Sequence, residues 1–181
     1  MSRKPTTLES DRLLLRAFEL TDASDVQSLA GDWAVAEMTT NIPHPYEDGM
    51  AEGWIATHSE IFERGDGVTW AITLRDGGEL AGAMSLFNMK AGHKAELGFW
   101  IGRPFWGDGY CTEAAQAVVE HAFGSLGLTR IHAVHMSKNP ASGRVMQKLG
   151  MTYEGTRRSH LRARGQLHDV VQYGLLKEDA S

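Results

Sequence analysis

A single cysteine, Cys111, stands among 181 residues, so no internal disulfide is available and a reducing, cytoplasmic setting is expected. No apolar run approaches the roughly 20 residues that a membrane span needs. The opening MSRKPTTLESD also has no signal-peptide core, so no membrane partner is expected. There is no excess of basic charge: 18 Lys and Arg face 23 Asp and Glu, for a net charge of −5. Phosphate contacts dominate affinity for nucleic acids, so this balance argues against nucleic acid as a partner. With 42% hydrophobic residues the chain is neither disordered nor of low complexity. Its length suits one domain, residues 1–181, large enough to bury about 70% of its unfolded surface. What the chain has in surplus is glycine, 20 of 181, against roughly 7% in ordinary proteins.

Charge is uneven along the chain. Residues 1–90 carry 7 basic and 15 acidic side chains, and residues 91–181 carry 11 and 8. This fits either an ordinary solvated surface or a cation-facing half beside an anion-holding half.

The apolar run at residues 12–18 reads as a strand. Thr21 is the expected N-cap of a helix to about residue 30, and a short helix is expected over residues 33–39. The segment Ile42-Pro43-His44-Pro45-Tyr46 reads as loop. Between residues 47 and 64, Ala51, Trp54, Ile55, His58, Ile61 and Phe62 form a helix-period stripe, on which His58 reads as a packed histidine. Two strand-like runs, residues 68–74 and 80–86, flank Arg75-Asp76-Gly77-Gly78-Glu79, a hairpin signal. Another strand is expected over residues 95–101 and a helix over residues 112–126, stopped by Gly127. A strand at residues 130–136 and a helix at residues 140–149, ended by Gly150, follow. Two final strands are expected near residues 151–157 and 167–176. The order β-α-α-β-β-β-α-β-α-β-β has no linker or repeat, and it describes an α/β (α+β) fold with a mixed sheet.

The segment Phe105-Trp106-Gly107-Asp108-Gly109-Tyr110-Cys111-Thr112-Glu113-Ala114 joins an apolar strand to a helix. Glycines two apart let the backbone approach a ligand and point successive N–H groups into one concavity. The following helix adds its unpaired first-turn donors, so the segment suits a phosphate or pyrophosphate. Alternatively the glycines serve only a tight turn. A nucleotide P-loop would end Gly-Lys-Ser/Thr, and this one ends Gly-Tyr-Cys-Thr. A dinucleotide fingerprint would need a third glycine where Thr112 stands and an acidic residue about 20 positions on, which is absent.

Residues 95–150 resemble the acetyl-CoA-binding core of the GNAT N-acetyltransferase superfamily, in its RimJ/RimL-like branch of ribosomal-protein alanine acetyltransferases. The resemblance is carried by AELGFWI, WGDGYCTEA and NPASGRVMQKLGM, and extends to the opening RLLLRAFELTDASDV and the TWAI…LAGAMSL hairpin. It implies a mostly antiparallel mixed sheet, splayed at its centre and flanked by helices. By the same resemblance, backbone N–H groups of Gly107, Asp108, Gly109, Tyr110, Cys111 and Thr112 hold the pyrophosphate of acetyl-CoA. Trp106 replaces the usual Gln/Arg and Cys111 the usual Gly/Ala. Phe99, Trp100 and Ile101 pair with the pantetheine arm, and Asn139 and Ser142 approach the pantetheine and thioester. Asn139 before Pro140 is also a good helix N-cap. Lys148 either reaches the nucleotide or is a solvated surface lysine.

Amide formation from a thioester needs a neutral amine, a polarised carbonyl and a protonated leaving thiolate. Glu96 is the candidate base. It is the only carboxylate in an apolar strand, alternation sets it on one face with Gly98 and Trp100, and burial is expected to raise its pKa. Facing solvent, it would have no such role. Many superfamily members carry a Tyr where this chain has Met146, so Ser142 is the candidate acid beside sulfur. Tyr110 and Tyr153 are weaker candidates, and a backbone N–H of residues 99–101 is a candidate oxyanion donor. A rival reading makes Cys111, at a helix start, a thiolate nucleophile of depressed pKa. His132 and His135, three apart on a strand, face opposite ways and make a poor metal pair, so no metal is expected. A module that binds acyl-CoA without transferring it is a further alternative.

The expected partner is an amine acceptor, lodged between the first two helices, the loop at residues 44–46 and the last hairpin. Branch resemblance points to the N-terminal amine of a protein or peptide, with a polyamine, antibiotic or amino-acid derivative as the alternative. Asp32, Glu37, Glu47 and Asp48 would suit a cationic amine. The basic run Arg157, Arg158, Arg162 and Arg164 would suit an acidic neighbour or a second subunit in a homodimer.

Overall fold

The computed structural model describes residues 4–180. Among these described residues eight strands form one sheet: β1 (Leu8–Glu9), β2 (Leu13–Arg16), β3 (Val68–Leu74), β4 (Leu80–Lys90), β5 (Lys94–Ile101), β6 (Arg130–Met136), β7 (Thr152–Ala163) and β8 (Gln166–Leu176). Five helices accompany them: α1 (Ala23–Ala30), α2 (Trp33–Ala36), α3 (Met50–Glu63), α4 (Tyr110–Gly124) and α5 (Pro140–Lys148). The strand order is β1-β2-β3-β4-β5-β6-β8-β7. Every pair is antiparallel except β5 with β6.

One pairing positions the site. β5 follows β4 from Lys94 to Ile101, but pairs with β6 only at Lys94–Arg130, Ala95–Ile131 and Glu96–His132. Beyond Glu96 the two strands part, and the edge of β5 that faced β6 is left without a neighbouring strand. Such an edge is a row of backbone donors and acceptors ready for an added chain.

Alternation along the strands assigns the two faces. Leu97, Ile101, Met84, Leu86, Trp70, Ile72 and Ile131 are buried with Val118, Ala122 and Phe123 of α4 and Met146 of α5. Trp70, with no exposed surface, is the largest side chain in that layer. On the other face Ala71 and Leu80 pack with Ala23, Val26 and Ala30 of α1 and Ala51 and Ile55 of α3. Each face is thus closed by helices that turn their apolar stripes toward the sheet.

Several elements differ from the sequence expectation. Thr21 is not the N-cap of α1. A turn at Leu20–Asp22 precedes the helix, in which Glu19 and Asp22 exchange side-chain-to-backbone bonds and Asp22 binds Arg16 through both carboxylate oxygens. The strand β1 was too short to leave a pattern. β4 continues to Lys90 through a bulge after Phe87, with Asn88 at φ 49°, because the ladder extends past the last buried residue. α2 stops at Ala36 rather than residue 39, α4 begins at Tyr110 rather than residue 112, and β7 runs to Ala163. Ile61 is exposed, not part of the α3 stripe. His58 lies between Phe18 and Trp54, with ring centroids 5.5 and 4.4 Å away. Its ring nitrogens have no hydrogen-bond partner among the described residues, and burial pushes its pKa down to about 4. It is a neutral packing residue.

Candidate functional site

The strand β5 ends at Ile101, whose carbonyl accepts a hydrogen bond of 2.7 Å from the Trp106 indole N–H. That bond fixes the turn into the glycine segment. Gly107 and Gly109 have φ values of 90° and 81°, a region that strains any residue carrying Cβ. A Cβ on Gly107 would meet nothing within 4 Å, so the loop opens to free space on that side. Gly109 is the N-cap of α4 and brings no side-chain acceptor to the first-turn N–H groups. The loop therefore has the form of an anion nest opening onto a fifteen-residue helix.

Glu113, which carries no local signal of a role, anchors this loop. Its carboxylate accepts from Ser10 Oγ at 2.7 Å, from the Arg12 backbone N–H at 2.8 Å and from Arg12 Nε at 2.7 Å. Burial works to raise its pKa, but these bonds outweigh it and hold the group below the usual carboxylate range. The Arg12 guanidinium also covers the Tyr110 ring at 4.6 Å. The first turn of α4 is thus tied to the start of β2.

Cys111 packs its side chain against the core between the sheet and α4. Burial pushes the thiol up to about 12, opposite to the depressed value expected at a helix start. Desolvation of the thiolate outweighs the helix dipole here. The nucleophile reading is therefore overturned. At pH 8 the native thiol should react with iodoacetamide at least about a hundredfold more slowly than in the denatured chain; fast native alkylation would contradict this burial.

Glu96 occupies the last paired position before the strands part. Its Oε2 is 3.6 Å from His132 Nε2, an ion-pair contact longer than a direct hydrogen bond. Both side chains are mostly buried. Glu96 was expected to have a raised pKa. Instead the His132 contact, with smaller help from Asn88 and Arg157, outweighs burial and lowers it. The Phe87 ring lies over Gly98, where an added Cβ would come within 2.4 Å of it, and so flanks Glu96 across the strand pair. Phe99, Trp100 and Ile101 lie along the unpaired stretch of β5.

The helix α5 begins as expected, with Asn139 as N-cap and Pro140 at its first position. The Asn139 side-chain oxygen accepts from the Ser142 N–H at 3.3 Å, and its Nδ2 donates to Ser142 Oγ at 2.9 Å. Since Oγ accepts from Asn139, the Ser142 hydroxyl proton is available to another acceptor. Met146 is buried at 1% exposure and belongs to the core, not the site. Tyr153 is 57% exposed and bonds Thr156, while Lys148 is exposed.

The expected acceptor region contains a cavity of about 250 Å³ between α2 and the β7–β8 hairpin, lined by Trp33, Glu37, Lys138, Ala163, Arg164, Gln166 and His168. Of the acidic residues expected to face an amine, only Glu37 lines it. Asp32 caps α2 through the Ala34 N–H, and Asp48 accepts from Gln27. In the basic run, Arg157 bonds Gln172 and His160, and Arg164 bonds backbone carbonyls of the chain itself. Those two guanidinium groups are engaged within the chain rather than presented to a neighbour. His132 and His135 diverge: the first meets Glu96, while the second lies against Gly143 of α5 and stacks on Tyr173. Among the described residues no group of three or more His, Cys, Asp or Glu side chains converges as a metal site.

The acetyltransferase (GNAT) domain family model matches residues 12–152. The uncharacterized N-acetyltransferase p20 of Bacillus licheniformis is 34% identical over 178 residues, covering 96% of this chain and 97% of that protein. The [ribosomal protein uS5]-alanine N-acetyltransferase of Escherichia coli is 27% identical over 186 residues, covering 95% and 91%. The crystal structure of a GNAT-family acetyltransferase from Bacillus anthracis superposes with a TM-score of 0.84 at 25% identity, covering 96% of this chain and 99% of that one.

Proposed function

Because the chain belongs to the GNAT acetyltransferase family, whose members draw the acetyl group from acetyl-CoA, we propose that its acceptor is the N-terminal α-amine of a protein or peptide. The observation that carries this reading is the Glu96 carboxylate, mostly buried beside His132 at the point where β5 and β6 part. A carboxylate is too weak to strip a proton from an amine near 10.4, but an α-amine near 7.7–8.0 is already partly neutral at physiological pH. The relative that acetylates an alanine of ribosomal protein uS5 supports the same choice of acceptor.

The residues divide the work as follows. The nest at residues 107–112 binds pyrophosphate through backbone N–H groups, with the glycines leaving room for it. The unpaired stretch of β5, including Phe99, Trp100 and Ile101, receives the pantetheine amides as an added strand would. The neutral amine nitrogen attacks the thioester carbonyl carbon. Glu96 accepts its hydrogen bond beforehand and takes its proton as the C–N bond forms and the nitrogen becomes acidic. The C–S bond then breaks, the Ser142 hydroxyl, oriented by Asn139, donates a hydrogen bond to the departing thiolate, and the thiolate takes its proton from solvent.

Thiol release from acetyl-CoA, measured with a panel of amines, tests this. An alanine-initiated peptide should be acetylated at its α-amine with kcat/KM above that of polyamines or lysine side chains; preference for a polyamine would reject the reading. Ser142→Ala should lower kcat about tenfold, the worth of one hydrogen bond to developing charge. KM for acetyl-CoA should change little.

A further inference from the structure

The turn between β7 and β8 contains an arginine in a conformation that arginine disfavours. Ala163 pairs with Gln166, so the connection is the two residues Arg164 and Gly165, with φ values of 47° and 75°. Two positive φ values define the type I′ turn, where Asn-Gly is the favoured pair and any bulkier first residue carries a steric penalty. A residue kept there against its backbone preference points to work done by its side chain.

That side chain reaches more than 120 positions back along the chain. The Arg164 guanidinium donates to the carbonyl oxygens of Ala36 at 2.6 Å, Ile42 at 2.7 Å and Thr39 at 3.0 Å, and lies 5.6 Å from the Trp33 ring. The other neighbour of Trp33 is the His44 ring at 4.9 Å, itself 3.1 Å from the Gly31 carbonyl through Nδ1. One cation thus gathers the end of α2 and the following loop against the hairpin, and the enclosed space is the 250 Å³ cavity. The same loop also touches the reaction centre, since Asn139 Nδ2, which orients Ser142, lies 3.4 Å from the Met38 carbonyl.

We propose that Arg164 is a positioning residue that sets acceptor specificity: by latching the β7–β8 turn to the α2 loop it shapes a small polar pocket for the first side chain of a polypeptide acceptor. At about 250 Å³ the pocket has room for one side chain, so its selection rests on the chemistry of its lining rather than on size. Glu37, Lys138, Gln166 and His168 give it a polar lining. This rests on the transfer of acetyl to an α-amine proposed above.

The test uses Arg164→Asn, which keeps the turn in its favoured conformation while removing the latch, beside Arg164→Lys, whose single ammonium cannot bridge three carbonyls. Thiol release is measured with peptides beginning in Ala, Ser, Leu or Trp. The wild-type chain should favour Ser over Leu and Trp by at least about tenfold in kcat/KM, because the polar lining matches a hydroxyl and not an apolar side chain. In Arg164→Asn the KM for the Ala peptide should rise by about tenfold and the discrimination should shrink, with KM for acetyl-CoA unchanged and the thermal midpoint maintained. Backbone amides of residues 37–46 should exchange faster in the variant. Unchanged acceptor KM and discrimination in a folded Arg164→Asn overturn this proposal alone. Absence of thiol release from the wild-type chain with every peptide overturns the α-amine reading and this proposal with it.

Discussion

Glu96→Gln is expected to lower kcat by about two to four orders of magnitude, the usual worth of a positioned general base, while leaving KM for acetyl-CoA nearly unchanged. Glutamine keeps the shape beside Phe87 and His132 but cannot take the proton released as the amide forms. The pH profile separates this from a packing effect. The folded pKa of Glu96 is depressed, so its base form persists down to a pH below the usual carboxylate range and is lost only as pH falls through that depressed value. The acid limb of the wild-type profile near neutrality therefore belongs to the acceptor α-amine, near 7.7–8.0. His132→Gln removes the first cause of the depression, and the Glu96 limb should move to higher pH. A Glu96→Gln enzyme within about tenfold of wild type would remove Glu96 from the chemistry.

Gly107→Ala should raise KM for acetyl-CoA by about a hundredfold, because a methyl group would enter the open space that the proposed pyrophosphate site needs and the positive φ resists the change. Gly77→Ala is the matched control. Gly77 has φ 87° and, like Gly107, open space where its Cβ would stand, but it lies in the β3–β4 turn, away from the nest. Both variants should lose a similar 1–2 kcal/mol of stability from backbone strain, and only Gly107→Ala should lose cofactor affinity. Equal KM for acetyl-CoA in the two variants would mean that the glycine segment is a turn and not a binding loop.

The candidate site was partly legible before any fold was known, and for local reasons. Gly107 and Gly109 two apart at a strand-to-helix junction announce a nest, because a positive φ and the first turn of a helix are properties of a few consecutive residues. Asn139-Pro140 announces a cap in the same way. Glu96 was visible as a lone carboxylate in an apolar strand, but its environment was not. The sequence suggested burial and a raised pKa, whereas the neighbour that lowers it, His132, arrives from a parallel strand 36 positions later. The same distance hid Glu113, whose partners Ser10 and Arg12 lie in the connection just before β2, about a hundred residues away. Cys111 shows the opposite error. Its local position promised a reactive thiolate, and the layer it packs into made it an inert thiol.

By itself the sequence determined the order of the elements after β1, the mixed sheet, the glycine turn into α4 and the capped helix carrying Ser142, since each is written in periodicity, turn residues and contacts within a few positions. Only the tertiary structure decided that β5 and β6 part just after Glu96, that His132 lies beside Glu96 and lowers its pKa, and that Arg164 ties the β7–β8 turn to the loop after α2. These rest on pairings between residues far apart in the chain, where charge and burial depend on what the fold brings alongside and no local pattern records it.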